Sequence, residues 1–207
     1  NDILNEYLKL IRGDNFRPVK QGLSKDFIGP SSYTLQMVNI APINSNFDIV
    51  NIRKNYTVTD KADGDRKLLY ISKTGKIYLI TTNLNIEFTG AITKNRDLFN
   101  SLLDGEHIKY NKNGRYINLY AAFDIYYRNL KDVRALKFVP TGDGLPTNYR
   151  LPLLNLLVNN LNAQMIGSSG LAPIRITSKK FYIEDEGQSI FRACNIIQEQ
   201  IVQGYFD

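Results

Sequence analysis

The chain has 207 residues, 43% of them hydrophobic and 22% charged, ordinary values for a globular protein long enough to bury a sizeable core. Twenty-six Lys and Arg against 20 Asp and Glu leave a net charge of +6, which favours a polyanionic partner such as nucleic acid or nucleotide phosphate, with a solvated basic surface as the plain alternative. A single Cys (Cys194) excludes an internal disulfide and a single His (His107) argues against a His-rich metal site or a His-dependent triad, so chemistry falls to Lys, Asp, Glu, Arg and a hard cation.

"NDILNEYLKLIRGDNF" alternates charge with apolar residues, which predicts an amphipathic helix over 2–12 and not a signal peptide. No stretch approaches the length of a membrane span, so no membrane partner is expected. A Gly/Pro/Lys-rich connector follows, "GDNFRPVKQGLSKDFIGPSSY". Helix and connector, 1–24, therefore precede a domain over 25–207.

From Tyr33 β signals dominate. Strands are expected over "YTLQMV" (33–38) and "YTVTD" (56–60). A hairpin is expected from 66–72 and 76–82 across Thr74-Gly75, and another from 101–110 and 116–127 across Asn113-Gly114, both rich in Tyr and Ile. "VPTGDGLPTNYR" reads as a loop, and "YRLPLLNLLVNNLNAQM" (149–165) as a helix with Pro152 near its first turn. After the break "GSSGLAP" come a strand over 174–185 and a helix over 188–203, whose face would bury the Cys194 thiol. Antiparallel strands with separate helices give an α+β fold.

The chemistry concentrates in "YTVTDKADGDRKLLYI" (56–71), where a lysine stands at the lip of a strand. A neutral amine is a good nucleophile, and neighbouring cations or partial desolvation release its proton. Asp63 could orient the ammonium or a metal, Gly64 lets the backbone turn, and Arg66 offers a fork of donors suited to phosphate or ribose oxygens. A surface hairpin with an ion pair would account for this string equally well. Further on, "LLDGEHI" sets Asp104, Gly105 and Glu106 at the start of a strand, and "LYAAFDIYY" sets Phe123 and Asp124 within another.

In order and spacing, Lys61-Ala62-Asp63-Gly64-Asp65-Arg66, "LLDGEHI" and "AAFDIYY" resemble successive motifs of the covalent nucleotidyltransferases, the superfamily of mRNA-capping guanylyltransferases and ATP-dependent DNA and RNA ligases. The run from Lys61 through "IEFTG", the upstream "FIGPSSYTLQMVNI" and the later "ITSKKFYIEDE" are more similar to the capping branch of large DNA viruses. The resemblance spans roughly residues 25–205. It implies an ATP-grasp-like ligase/capping lobe of antiparallel sheets with flanking helices. By that analogy Lys61 attacks GTP to form lysyl-GMP, which passes to a 5′-diphosphate RNA end, with Mg2+ or Mn2+ assisting. Arg66 and Glu106 would bind the ribose, Glu106 also standing near the metal; Phe123 would stack on guanine and Lys180 contact phosphate. Asp63, Gly64 and Asp104 would support turns and Lys61, with His107 a bystander on the other face. Since Lys179 and Lys180 cannot both face inward from one strand, at least one would be solvated.

The family's later glutamate and Lys-x-Lys motifs and its OB-fold lobe are not found, so the chain is expected to be truncated before them. Covalently linked triphosphatase and methyltransferase domains, and action in the cytoplasm, a viral factory or a virion, complete what the resemblance implies. An ATP-dependent ligase adenylation domain and a non-catalytic RNA- or partner-binding descendant are the alternatives.

Overall fold

In the computed structural model the described residues are 2–18, 24–43, 48–167, 173–183 and 189–203. They divide into two compact units. One comprises 1–29 and 62–178, the other 30–61 and 179–207. The cut expected after residue 24 is not where this division falls. The break over 167–173 and the ends of the last strand and helix lie partly outside the described residues.

The first unit is built on a mixed sheet. Its strands are β2 (Asp65–Ile71), β3 (Lys76–Thr81), β4 (Ile86–Thr93), β5 (Ser101–Tyr110), β6 (Tyr116–Arg128), β7 (Lys131–Asp132), β8 (Met165–Gly167) and β9 (Arg175–Ser178), β1 being in the other unit. Their order is β7-β6-β5-β2-β3-β4-β8, all antiparallel, with β9 added parallel to β6. Both expected hairpins form, and Gly75 (φ +84) and Gly114 (φ +74) supply the left-handed turn residues. β4 is a strand that period-2 alternation does not single out; Gly90 (φ +82) interrupts it, opposite a register shift in β3.

Helices cover both faces of this sheet, which is why "LLYI" in β2 is buried without interruption. On one side α1 (Asp2–Arg12) packs Leu4, Tyr7 and Leu8 onto Leu68, Tyr70, Ile80, Leu102, Tyr126 and Tyr127. On the other α3 (Arg150–Gln164) sets Leu153, Leu154, Leu157, Val158 and Leu161 against Leu69, Ile71, Leu79, Leu103 and Ile125. No described helix is long and apolar enough to cross a membrane.

In the second unit β1 (Thr57–Val58) pairs antiparallel with β10 (Tyr182–Ile183), and α4 (Ile190–Val202) carries Cys194, half-buried. The strand expected over 33–38 does not form. Tyr33–Gln36 are irregular and α2 (Met37–Ile40) follows, because the buried Asn39 caps it by accepting from the Gln36 amide at 2.8 Å and donates to the Val50 carbonyl at 2.9 Å. The strand expected over 174–185 is two strands, β9 and β10, serving different units. α+β architecture is therefore the observed class.

Candidate active site

β2 and β5 run antiparallel in a register that sets Arg66 opposite Glu106 and Leu68 opposite Asp104. Side chains two apart on a strand share a face, so Arg66, Asp104 and Glu106 come to one side of the sheet. Arg66 grips Asp104 with its fork, Nε to Oδ1 at 3.2 Å and Nη2 to Oδ2 at 2.6 Å. The Asp104 side chain is fully buried, and Tyr126 also donates to its Oδ2, at 2.5 Å. Burial pushes the Tyr126 phenol up and the Asp104 charge adds to that, so Tyr126 remains a neutral donor. The same carboxylate, through its hydrogen bond, holds the Arg66 guanidinium yet more firmly protonated.

Aromatic rings flank the guanidinium. Arg66 Cζ lies 5.4 Å from the centre of the Phe27 ring and 5.8 Å from that of Phe123. Phe123 comes there through a bulge: β6 offers Asp124 opposite Asp104 and Ala122 opposite Gly105, leaving Phe123 as the extra residue. Gly29 closes the arrangement, since a Cβ on it would stand 2.5 Å from Arg66 Nη2 and 2.7 Å from Asp104 Oδ2. Neighbouring Asp124 pairs with Arg150 at 2.9 Å, yet burial outweighs that partner and raises its carboxyl.

Asp104 and Glu106 thus lie within β5 and not at its start, and Asp104 accepts from Arg66 and Tyr126. Glu106 is half-buried. Asp63 is exposed ahead of β2, and Gly64 packs so closely on β5 that a Cβ would fall 2.5 Å from the His107 carbonyl oxygen. His107 lies on the other face of β5. Its Nδ1 is 3.1 Å from Lys67 Nζ and its Nε2 is 2.8 Å from Asn118 Oδ1. Phe27, Gly29 and Tyr126 are the residues sequence reasoning did not assign. Only the Gly-Pro segment "FIGPSSY" signals the first two.

In the second unit Lys61 is exposed, just beyond β1. Asp60 before it accepts from Lys179, through its backbone carbonyl and, at 3.7 Å, through its carboxylate. Lys180 is exposed between β9 and β10, not on a strand; its backbone carbonyl accepts from Thr59 Oγ1 at 2.7 Å and its Nζ lies 4.9 Å from the centre of the Tyr182 ring. Among the described residues there is no cluster of three or more His, Cys, Asp or Glu able to hold a metal by themselves.

No family model matches the sequence. A stretch of 130 residues, 63% of the chain, is 31% identical to a protein of Acanthamoeba polyphaga mimivirus described as a probable mRNA-capping enzyme. The match covers 10% of that protein, so the chain spans about a tenth of the relative it resembles.

Proposed function

We propose, from a chain that resembles a large-virus protein described as a probable mRNA-capping enzyme, that this is the guanylyltransferase portion of such an enzyme. The observation that carries the proposal is the register of β2 on β5. It sets Arg66, from the lysine motif, opposite Glu106, from the next motif, on one sheet face. Lys61 and Arg66 stand in a single motif along the chain, Lys61-Ala62-Asp63-Gly64-Asp65-Arg66.

In the proposed reaction the neutral Lys61 amine attacks the α-phosphorus of GTP. A P–N bond forms, the bond to pyrophosphate breaks, and the amine gives up its proton. The terminal phosphate oxygen of a 5′-diphosphate RNA then attacks the same phosphorus, the P–N bond breaks, and lysine recovers a proton. Arg66 donates to ribose or phosphate oxygens from a fork that Asp104 and Tyr126 have already oriented, so little conformational freedom is lost on binding. Phe123 offers its ring to the guanine, and Lys180 its charge to phosphate. Mg2+ or Mn2+, when bound, would neutralise charge developing on the phosphates. Half-buried Glu106 suits such an ion, which takes one or two carboxylates and fills its shell with phosphate oxygens and water.

Intact-protein mass after incubation with GTP or ATP and a divalent cation tests this, with Lys61→Ala alongside. A GMP-sized gain from GTP that the variant loses is the expected result. An AMP-sized gain from ATP would move the protein to the ligases. No gain from either would mean that this stretch of chain does not perform the first step.

A further inference from the structure

The β5–β6 hairpin runs beyond the face just described into a tip that the proposed chemistry does not use. Lys109, Tyr110, Lys112, Arg115 and Tyr116 are all exposed there, the two tyrosines by 61% and 50%. Tyr110 and Tyr116 are direct cross-strand partners, so both rings stand on one face, 5.6 Å apart and edge to face. From His107 to Phe123 the sequence holds three Lys and Arg but no Asp or Glu, so this stretch is basic. Lysines alone would be the usual protection of a sheet edge. Two large exposed aromatic rings beside them are not.

The tip is also pre-shaped. Asn111 Oδ1 accepts from the backbone amides of Asn113 at 3.1 Å and Arg115 at 2.9 Å, and Gly114 N donates to the Asn111 carbonyl at 2.9 Å. At its root Lys109 opposes two residues, Ile117 and Asn118, a bulge that bends and twists the ribbon. Asn118 has φ +45 there and is held through its side chain by His107. Lys67 is 97% buried and its ammonium can only donate, to Glu87 Oε2 at 2.6 Å and to His107 Nδ1. His107 must then carry its proton on Nε2 and donate to Asn118 Oδ1. A polar chain from exposed Glu87 on β4 through buried Lys67 on β2 and His107 on β5 thus ties down Asn118 at the root of the tip.

We propose that this tip binds single-stranded RNA, the tyrosine pair stacking on unpaired bases while Lys109, Lys112 and Arg115 contact the phosphates on either side. A ring is open to every base and to none inside a duplex, and the charge is complementary. The choice of RNA rests on the capping reading; the surface itself does not.

Fluorescence anisotropy of a labelled 20-nucleotide oligouridylate with a 5′-hydroxyl end, titrated at several salt concentrations, tests the surface apart from the chemistry. Tyr110→Ala/Tyr116→Ala should weaken binding about tenfold or more with the salt slope unchanged, because stacking is worth roughly 1–3 kcal/mol per base. Lys109→Gln/Lys112→Gln/Arg115→Gln should lower the slope by about two, at ~0.7 per neutralised phosphate on a single strand. Urea midpoints matching the unsubstituted chain show that each variant is folded. Oligouridylate binding that ignores either set of substitutions, or a duplex of equal length binding as tightly, overturns the proposal. Tip-dependent binding without any nucleotide adduct would overturn the guanylyltransferase reading and leave this one standing, and an adduct without tip-dependent binding would do the reverse.

Discussion

Arg66, Asp104 and Tyr126 form a polar knot whose members differ in access to water, and that difference sets the order in which their loss should hurt. The Asp104 side chain is fully buried, whereas that of Arg66 is 27% exposed. Arg66→Met leaves a carboxylate in the interior with Tyr126 as its remaining donor in this knot. Breaking a buried pair from that side costs about 3–5 kcal/mol. Asp104→Asn instead leaves the guanidinium partly in water and keeps one acceptor oxygen, so the loss is about 2 kcal/mol, the scale of a single charge-assisted bond. Tyr126→Phe removes a neutral donor and should cost about 1 kcal/mol. Replacing both charges, Arg66→Met/Asp104→Leu, should cost less than Arg66→Met alone, because no uncompensated charge remains inside. Urea unfolding of the four variants measures these differences. Asp104→Asn costing more than Arg66→Met, or a double variant costing as much as Arg66→Met alone, would refute the claim that burial of Asp104 governs the knot.

Two further outcomes follow from the other face of β5. Burial holds the His107 imidazole below its ordinary value of 6.5; the nearby Lys67 and Lys109 charges act in the same direction, against the Asn118 hydrogen bond and the Glu87 charge. The unfolded chain therefore binds the extra proton first as pH falls, so this contribution is full above about 6.5 and is lost as pH falls toward the folded value. Urea midpoints should accordingly drop between pH 7.5 and 5.5, less steeply in His107→Gln, and equal slopes would discount His107. Gly64→Ala would force a Cβ to within 2.5 Å of the His107 carbonyl oxygen, a backbone atom that cannot swing aside. A loss of about 1–3 kcal/mol is expected, the range for overpacking, and an unchanged Tm would show that the turn gives way freely.

Local pattern carries much of this fold. The amphipathic run over Asp2–Arg12 and the turn pairs Thr74-Gly75 and Asn113-Gly114 each specify their structure within a few residues. Where the sequence misleads, the deciding contact is distant. "YTLQMV" alternates like a strand, but Asn39 reaches Val50 and Asn51 reaches the Ala41 carbonyl, and those bonds favour a short helix over a ladder. "IRITSKKFYI" is one run of strand formers, yet its first half finds a parallel neighbour in β6 and its second an antiparallel one in β1. No propensity encodes a change of partner at Lys179-Lys180.

The candidate site divides the same way. Its residue types are legible, because Arg66, Asp104 and Glu106 stand in short strings, but the contacts each one makes are not. Register sets Arg66 straight across from Glu106, and simple cross-strand logic would couple those two. The fork reaches one step along the same face to grip Asp104. Three features from elsewhere in the chain favour that contact: Tyr126 shares the Asp104 carboxylate, Gly29 offers no side chain to come between the pair, and the bulge that carries Phe123 lies beside it. Each comes from a segment remote from the lysine motif, and their convergence is a property of the sheet. A sequence motif can therefore nominate the residues of such a site, while the burial and bulging of strands brought from far along the chain decide which of them are already committed to each other before any ligand arrives.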